Sequence, residues 1–241
     1  MARPVLDVSG VDVGFVESHP LIEDLILQIS PGEIVGVIGR SGIGKTTLIR
    51  TLAGLVPTLS GSILFDGMPL SSINRGSIGL IPQRLGLVRH QSVGYNVLMG
   101  ALPGASFVQT LFSIPSREMR DATRAAIHAV GLHDKSLESV NKLSGGQQRR
   151  VAIARSMVQS PKLLLADECL GELDADTARE IIDLMRGLAE VQRSAILIVD
   201  HNPVRARTFC DRLLELRGKK LLPMRDDEIS DQLSLPQLGG K

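Results

Sequence analysis

Nine consecutive residues have the composition and spacing of a phosphate-binding loop: Gly39-Arg40-Ser41-Gly42-Ile43-Gly44-Lys45-Thr46-Thr47. They match the pattern G-x-x-x-x-G-K-[ST], in which the glycines let backbone N–H groups approach a phosphate closely. In that pattern the lysine, Lys45, reaches the β- and γ-phosphates and the hydroxyl of Thr46 binds Mg²⁺. The sequence therefore predicts a nucleotide site. The alternative is a glycine-rich turn that binds nothing.

The residues on either side of this loop predict the elements that would position it. Residues 33–38 are mostly apolar and β-branched, as in a strand that is buried on both faces of a sheet. Residues 47–54 place apolar side chains at helical spacing and end at a glycine that suits a helix C-terminus. A strand, a glycine-rich turn and a helix bring backbone N–H groups and a helix N-terminus to one anion.

Two carboxylates, Asp167 and Glu168, follow a second apolar strand pattern at residues 162–166. In a parallel sheet this strand would end beside the phosphate loop, because ligands bind at the carboxyl edge. Asp167 could then hold Mg²⁺, directly or through water, and Glu168 could accept a proton from an attacking water. Taken alone, the pair could equally be two solvated acids after a strand.

A serine and two glycines begin a helical pattern at Leu143-Ser144-Gly145-Gly146-Gln147-Gln148-Arg149-Arg150. Apolar residues at later positions of this helix would pack on a core, so its N-terminus would be presented to a ligand. Backbone amides at that positive helix end would form a second anion site. The alternative is that Ser144 is a simple helix cap, but a cap does not explain the two glycines.

These motifs resemble those of the ATP-binding-cassette (ABC) family, whose signature motif matches residues 143–147. The resemblance spans residue 5 to about residue 222, with the motifs in family order. It implies an α/β P-loop NTPase fold of ABC type, with a mostly parallel central sheet, an N-terminal antiparallel β subdomain and an inserted helical subdomain. It also implies that the chain binds ATP and Mg²⁺ and hydrolyses ATP to ADP and phosphate. The signature of one subunit, Ser144-Gly145-Gly146-Gln147, would close over the phosphate loop of another.

The same resemblance assigns roles to further residues. Gln83 looks like the glutamine that contacts Mg²⁺ and the attacking water, and His201 like the histidine that contacts the γ-phosphate. Asp174 lies in the loop that crosses the dimer interface. Phe15 is the aromatic residue expected to stack on adenine, at the position where the family usually has tyrosine. Alternatively, Phe15 is a core residue and Val16 occupies that position.

Two positions depart from the family pattern. Cys169 stands where a proline usually follows the catalytic glutamate, and Gly171-Glu172-Leu173-Asp174 replaces the usual Ser-x-Leu-Asp. The reacting groups are kept, so we still expect hydrolysis. Cys169 could be a redox switch beside Glu168 or an inert thiol. The nearby carboxylate favours the inert thiol, because it opposes formation of the thiolate.

The pattern along the chain predicts a single ABC ATPase domain over residues 1–241. Strand patterns give way to helical ones between about residues 84 and 159, which predicts the inserted subdomain. Its early part, residues 85–112, would be either irregular core or an apolar surface for a partner. A helix from about Asp176 to Val191 lies between two strand patterns, as in a βαβ unit. The polar tail, from about residue 223 to 241, is expected to fray.

Composition excludes several classes of protein. The chain of 241 residues has 27 Lys plus Arg against 26 Asp plus Glu, and only 2% aromatic residues. A nucleic-acid binder usually has a basic excess or aromatic stacking platforms, so we expect no nucleic-acid partner.

Two cysteines are too few for a disulfide framework. No apolar run could span a bilayer and no signal-peptide pattern is present, so the sequence predicts a cytosolic protein.

The resemblance also implies partners. A second ABC ATPase subunit would form a homodimer with this chain, and separate transmembrane permease subunits would hold it at the cytoplasmic face of the inner membrane. A solute-binding protein would take part indirectly. Residues 92–100, the insertion that follows them as far as Arg117-Glu118, and residues 143–155 are most similar to phosphonate-importer ATPase subunits, so import of phosphonate or a related small solute is expected. The alternatives are an exporter or lipoprotein-release ATPase, and a cassette ATPase that acts on ribosomes or DNA.

Overall fold

The computed structural model describes residues 3–104, 115–171 and 173–224. In chain order its strands and helices are β1 (Leu6–Val13), β2 (Ile22–Ile29), β3 (Ile34–Ile38), α1 (Lys45–Leu52), β4 (Ser60–Phe65), β5 (Met68–Pro69), β6 (Ile78–Ile81), α2 (Val93–Leu98), α3 (Arg117–Ala129), α4 (Gly145–Gln159), β7 (Leu163–Asp167), α5 (Ala175–Gln192), β8 (Ala195–Asp200), α6 (Pro203–Arg207), β9 (Arg212–Arg217) and β10 (Lys220–Pro223). Short 3₁₀ turns connect several of them.

The central sheet has the strand order β10-β9-β3-β8-β7-β6. Neighbouring strands from β9 to β6 pair in parallel, and only the edge strand β10 pairs antiparallel among these six. Every residue of β3, β7 and β8 is buried, because side chains on both faces of the sheet pack into a core. The predicted mostly parallel sheet is therefore confirmed.

A second, antiparallel sheet has the order β2-β1-β4-β5, as predicted for the N-terminal part of the chain. Buried and more exposed residues largely alternate along β1 and β2, so each strand turns one face to the core. That face shares a cluster of buried side chains with Leu48 and Leu52 of α1. The small sheet thus supports the helix that begins in the predicted phosphate loop.

Helices α2, α3 and α4 form the predicted helical subdomain around their own cluster of buried side chains. Val93 and Val97 of α2 lie in that cluster, whereas Val88, Tyr95 and Leu102 are exposed. Part of residues 85–112 is therefore core, as one interpretation expects, whereas a partner for the exposed apolar side chains remains a prediction. Residues 105–112 lie outside the described residues, as does the tail at 225–241.

Helix ends differ slightly from the sequence-based expectations. Helix α1 begins at Lys45, two residues earlier than predicted, because Gly44 serves as its N-cap. Helix α5 begins at Ala175 after Asp174, whose side chain accepts a hydrogen bond from the Thr177 N–H at 2.9 Å. Within the part of the chain that the structure describes, no helix is long and apolar enough to cross a membrane.

Candidate functional site

The parallel strands of the central sheet, β3 and β6 to β9, end at one edge, where the sequence places its polar motifs. Strands β3 and β8 pair so that Ile38 lies opposite Asp200. Strands β7 and β8 pair so that Asp167 lies opposite Val199, and β6 runs parallel to β7 on its other side. The loops after β3, β6, β7 and β8 therefore meet at the carboxyl edge, where open parallel sheets bind ligands.

The loop between β3 and α1 has a backbone suited to holding an anion. Gly42 and Gly44 have φ values of 78° and 114°, in the region that residues with a β carbon rarely adopt. A β carbon added at Gly42 would have no other atom within 4 Å, so the backbone there borders open space. Gly44 caps α1 without a side-chain hydrogen bond, which leaves the first N–H groups of the helix for a ligand or water.

Lys45 is buried within this loop, with 5% of its side chain exposed. Its Nζ donates hydrogen bonds to the carbonyls of Gly39, at 2.6 Å, and Arg40, at 3.0 Å. The same nitrogen lies 3.8 Å from Oε1 of Glu168. Because an ammonium has three protons, Lys45 keeps one for an acceptor outside the loop.

Glu168 is the point at which three of the predicted site residues meet. The Gln83 Nε2 donates a hydrogen bond to Glu168 Oε2 at 2.9 Å, while Oε1 faces Lys45. Glu168 has a φ of 48°, an uncommon value for a residue with a side chain. Its N–H donates to the Val199 carbonyl at 3.0 Å. The structure therefore brings Lys45, Gln83 and Glu168 together at the sheet edge.

The surroundings of Asp167 fit a divalent cation. Asp167 is 3% exposed, and its buried Oδ1 has no hydrogen-bond partner. Burial raises the pKa of Asp167, whereas a hydrogen bond from the Thr46 side chain opposes that shift. Thr46, Gln83 and Asp167 line a common cavity of about 270 Å³. Hydroxyl, amide and carboxylate oxygens are ligands that Mg²⁺ takes, together with water and phosphate oxygens.

No group of three or more His, Cys, Asp or Glu side chains with metal-binding spacing occurs among the described residues. Such a cage is not required for Mg²⁺, which usually keeps several waters and binds one or two carboxylates plus substrate phosphates. The donor set at Asp167 therefore suits a cation that is shared with a bound nucleotide.

His201 follows β8 at the same edge. The buried Asp200 carboxylate accepts hydrogen bonds from the backbone N–H groups of His201, at 2.7 Å, and Asn202, at 3.0 Å. It also forms an ion pair with Arg205. The His201 ring is 58% exposed, and a β carbon added at Gly171 would lie 3.8 Å from its Cε1. The ring thus lies beside the loop after Glu168 and is open to a ligand.

The signature residues form the N-terminus of α4. The Ser144 Oγ accepts a hydrogen bond from the Gln147 N–H at 3.3 Å, and Gln147 Oε1 accepts one from the Ser144 N–H at 3.1 Å. This reciprocal pair is a capping box. A β carbon at Gly146 would lie 2.7 Å from Thr177 Cγ2, so Gly146 allows α4 to pack on α5. Capping and packing thus explain Ser144 and Gly146 within one chain, and the second anion site remains a prediction.

The remaining predicted residues lie on the surface. Asp174 caps α5, and the hydrogen bond from the Thr177 backbone lowers the pKa of its carboxyl group. Phe15 is 68% exposed, so the interpretation of Phe15 as a core residue is wrong. Val16 is also exposed. The ring of Phe15 is accessible for stacking, but its contact with adenine remains a prediction. Glu172, one of the departures from the family pattern, lies outside the described residues.

Cys169 has the surroundings of an inert thiol. Its side chain is 2% exposed, and Sγ lies 4.0 Å from the sulfur of Met185. Burial raises the pKa of the Cys169 thiol to about 12. Because the thiolate is the reactive form, the structure favours the inert thiol over the redox switch.

Two arginines of α4 contact the loops of this site, although no motif in the sequence singles them out. Arg149 donates hydrogen bonds to carbonyls of the turn after Glu168. Arg155 donates to the carbonyls of Leu85, at 2.9 Å, and Gly86, at 2.7 Å, just after Gln83. Both arginines were visible in the sequence, but the carbonyls that they bind are set by how α4 packs on the sheet.

The comparisons of this sequence with known proteins all indicate the same family. The sequence model of a family described as ABC transporter matches residues 22–171. The phosphonates import ATP-binding protein PhnC of Agrobacterium fabrum is 37% identical over 203 residues, which are 81% of this chain and 71% of that protein. The protein of the same name from Caulobacter vibrioides is 35% identical over 90% of this chain and 87% of its own length.

Solved structures share the fold over almost the whole chain. The cbiO1 protein of Clostridium perfringens, described as part of the ABC transporter complex cbiONQ, superimposes with a TM-score of 0.81 at 25% identity. The match covers 98% of this chain and 96% of that one. A nucleotide-free ATP-binding cassette from an ABC transporter gives a TM-score of 0.78 at 21% identity, covering 99% and 100% of the two chains.

Proposed function

This chain belongs to the ABC transporter family, a family of nucleotide-binding ATPases, and we propose that it hydrolyses MgATP to drive import of phosphonate or a related small solute. The contact of Glu168 with Lys45 and Gln83, beside the phosphate loop, is the observation that carries the ATPase part. The import part is supported by relatives that are 35–37% identical and are named phosphonates import ATP-binding proteins.

In the proposed complex the phosphate loop holds the nucleotide through its backbone N–H groups and Lys45. Both the buried position of Lys45 and the open backbone at Gly42 support this arrangement. Thr46, Gln83 and Asp167 would hold Mg²⁺, which when bound neutralises negative charge on the phosphates. The exposed ring of Phe15 would stack on adenine.

Glu168 is the proposed general base. Its carboxylate accepts a proton from water as the water oxygen forms a bond to the γ-phosphorus and the bond from that phosphorus to the ADP oxygen breaks. Gln83 orients the Glu168 carboxylate through the 2.9 Å hydrogen bond to Oε2. The Lys45 ammonium faces the other carboxylate oxygen, Oε1. The exposed imidazole of His201 would donate to a γ-phosphate oxygen and stabilise the charge that develops there.

Two copies of the chain would enclose each nucleotide. Ser144, Gly145, Gly146 and Gln147 of one copy would face the phosphate loop of the other, with the turn at Asp174 crossing between them. Support comes from α4, whose first residues, Ser144 and Gly145, are exposed and leave backbone N–H groups at a positive helix end. Binding of ATP would close the dimer, and loss of phosphate would reopen it.

The dimer would act at the cytoplasmic face of the inner membrane through permease subunits, and a solute-binding protein would deliver the solute. Export and lipoprotein release use the same nucleotide motifs, but the similar relatives are named for import. We therefore place the chain with importers.

Mass spectrometry of proteins that co-purify with the tagged chain from gently solubilised cells tests this proposal. We expect a permease with several membrane spans and a solute-binding protein, both missing from a matched untagged strain. The binding protein can then be screened with phosphonates and other oxyanions. Recovery of ribosomal or DNA-repair proteins without a permease would contradict the transport function and leave the ATPase chemistry standing.

A further inference from the structure

Arg149 joins the helix that begins after Ser144 to the turn that follows Glu168. Its Nε donates to the Cys169 carbonyl at 2.6 Å, and its Nη2 donates to the Gly171 carbonyl at 2.5 Å. The guanidinium also lies against the start of its own helix, since a β carbon at Gly145 would be 3.4 Å from Nη1. Two short bonds from one planar, charged group fix both the position and the orientation of the turn.

The turn that Arg149 holds begins with an unusual backbone conformation. Glu168 has a φ of 48°, and its carbonyl accepts a hydrogen bond from the Gly171 N–H at 3.2 Å. A non-glycine residue in this region persists only where the surrounding contacts determine it. One such contact is the hydrogen bond from the Glu168 N–H to Val199 in the neighbouring strand.

The other contacts hold the turn from opposite sides. The side chains of Cys169 and Leu170 are buried in the core, with 2% and 1% exposed. The carbonyls of Cys169 and Gly171 accept the two Arg149 bonds. Among the described residues, the Arg149 guanidinium donates the side-chain hydrogen bonds that hold the Cys169 and Gly171 carbonyls of the turn that carries Glu168.

We propose that Arg149 is a positioning residue for hydrolysis, which holds this turn so that the Glu168 carboxylate stays in reach of the attacking water. The inference rests on the proposed function, because it concerns the base assigned there. The Arg149 contact lies within one chain and is made by the same helix whose N-terminus is proposed to face the partner's nucleotide.

Arg149→Gln and Arg149→Lys test the role, with Arg150→Gln as the matched control. Glutamine cannot span both carbonyls, whereas lysine keeps the charge and can donate to one of them. Arg150 is the next residue of the same helix, but it contacts the Val130 carbonyl and Glu180 rather than the turn. The two glutamine variants remove the same charge and differ in the contact that is lost.

Labelling of Cys169 reports on the turn without any need for ATPase activity. In a Cys210→Ser background Cys169 is the single remaining thiol. It belongs to the turn, and its side chain is buried in the core beneath it. Alkylation requires local opening, so the labelling rate measures how often the turn opens. We expect Arg149→Gln to label at least ~10-fold faster than Arg150→Gln, because two charge-assisted bonds are lost.

Steady-state kinetics report on the carboxylate. We expect Arg149→Gln to lower kcat by about 10- to 100-fold, since small displacements of a reacting group have costs of this size. The KM for ATP should stay within about threefold of the wild-type value, because the phosphate loop is untouched. Arg149→Lys should recover part of the lost kcat, which a general loss of folded protein would not predict.

Equal labelling rates and equal kcat values in Arg149→Gln and Arg150→Gln would overturn the proposal. If the glutamine variant fails to fold, as judged by thermal unfolding, Arg149→Lys is compared with the wild type. It loses one of the two bonds, so we expect faster labelling and a lower kcat by smaller factors, and wild-type values for both would overturn the proposal. A wild-type chain without ATPase activity would contradict the proposed function and with it the role of Arg149 in positioning the base. The labelling rates would then still decide whether Arg149 holds the turn.

Discussion

Replacing Glu168 by glutamine should lower the turnover of ATP by about 10²- to 10⁴-fold, the range associated with loss of a general base. Glutamine has nearly the same shape and can still pair with Gln83, which now lies 2.9 Å from the carboxylate. It cannot take a proton from water at neutral pH. ATP affinity should change by no more than about threefold, because Glu168 is assigned to the chemical step rather than to binding.

Phosphate release at saturating MgATP gives the turnover, and equilibrium binding of a fluorescent ATP analogue gives the affinity. Glu190→Gln is a suitable control, since Glu190 is an exposed glutamate on α5. It should behave as wild type in both measurements. If the Glu168 variant turned over ATP at the wild-type rate, the assignment of Glu168 as the base would be wrong.

Replacing Lys45 by alanine should weaken ATP binding by about 10- to 100-fold, as expected when a hydrogen bond to a charged group is lost. Lys45 is held inside the phosphate loop by the carbonyls of Gly39 and Arg40, so its ammonium is already positioned for a phosphate. Titration of the purified variant with the fluorescent ATP analogue measures the loss.

Lys219→Ala removes the same charge from an exposed site, where Lys219 pairs with Glu23 at 2.8 Å. This control should bind ATP as the wild type does. Thermal unfolding of both variants without nucleotide separates a binding defect from a folding defect. Unchanged ATP affinity in a folded Lys45→Ala chain would refute the phosphate-loop assignment.

The sequence predicted those parts of the fold and site that are encoded by contiguous residues. The phosphate loop was recognisable because its glycines, lysine and hydroxyl stand at fixed spacing. Buried strands such as β3 and β7 appear as short apolar runs, and parallel strands end at a common edge. The proximity of Glu168 to Lys45 therefore follows from the sequence pattern together with the parallel sheet.

Features that depend on packing between distant segments could not be predicted. The carbonyls that Arg149 binds are 20 and 22 residues away along the chain. Likewise, Gly146 faces Thr177 only because α4 and α5 cross there. The left-handed backbone of Glu168 is held by the sheet, the core and Arg149, and no local pattern of turn residues specifies it.

Light scattering of the Glu168→Gln chain with and without MgATP tests most directly the central claim that two copies close around ATP. The exposed helix start at Ser144 and the phosphate loop of the other copy should meet only when nucleotide lies between them. We predict a monomer without nucleotide and a dimer with MgATP, since slow hydrolysis would preserve the closed state. A variant that binds ATP yet keeps the mass of a monomer would contradict the account.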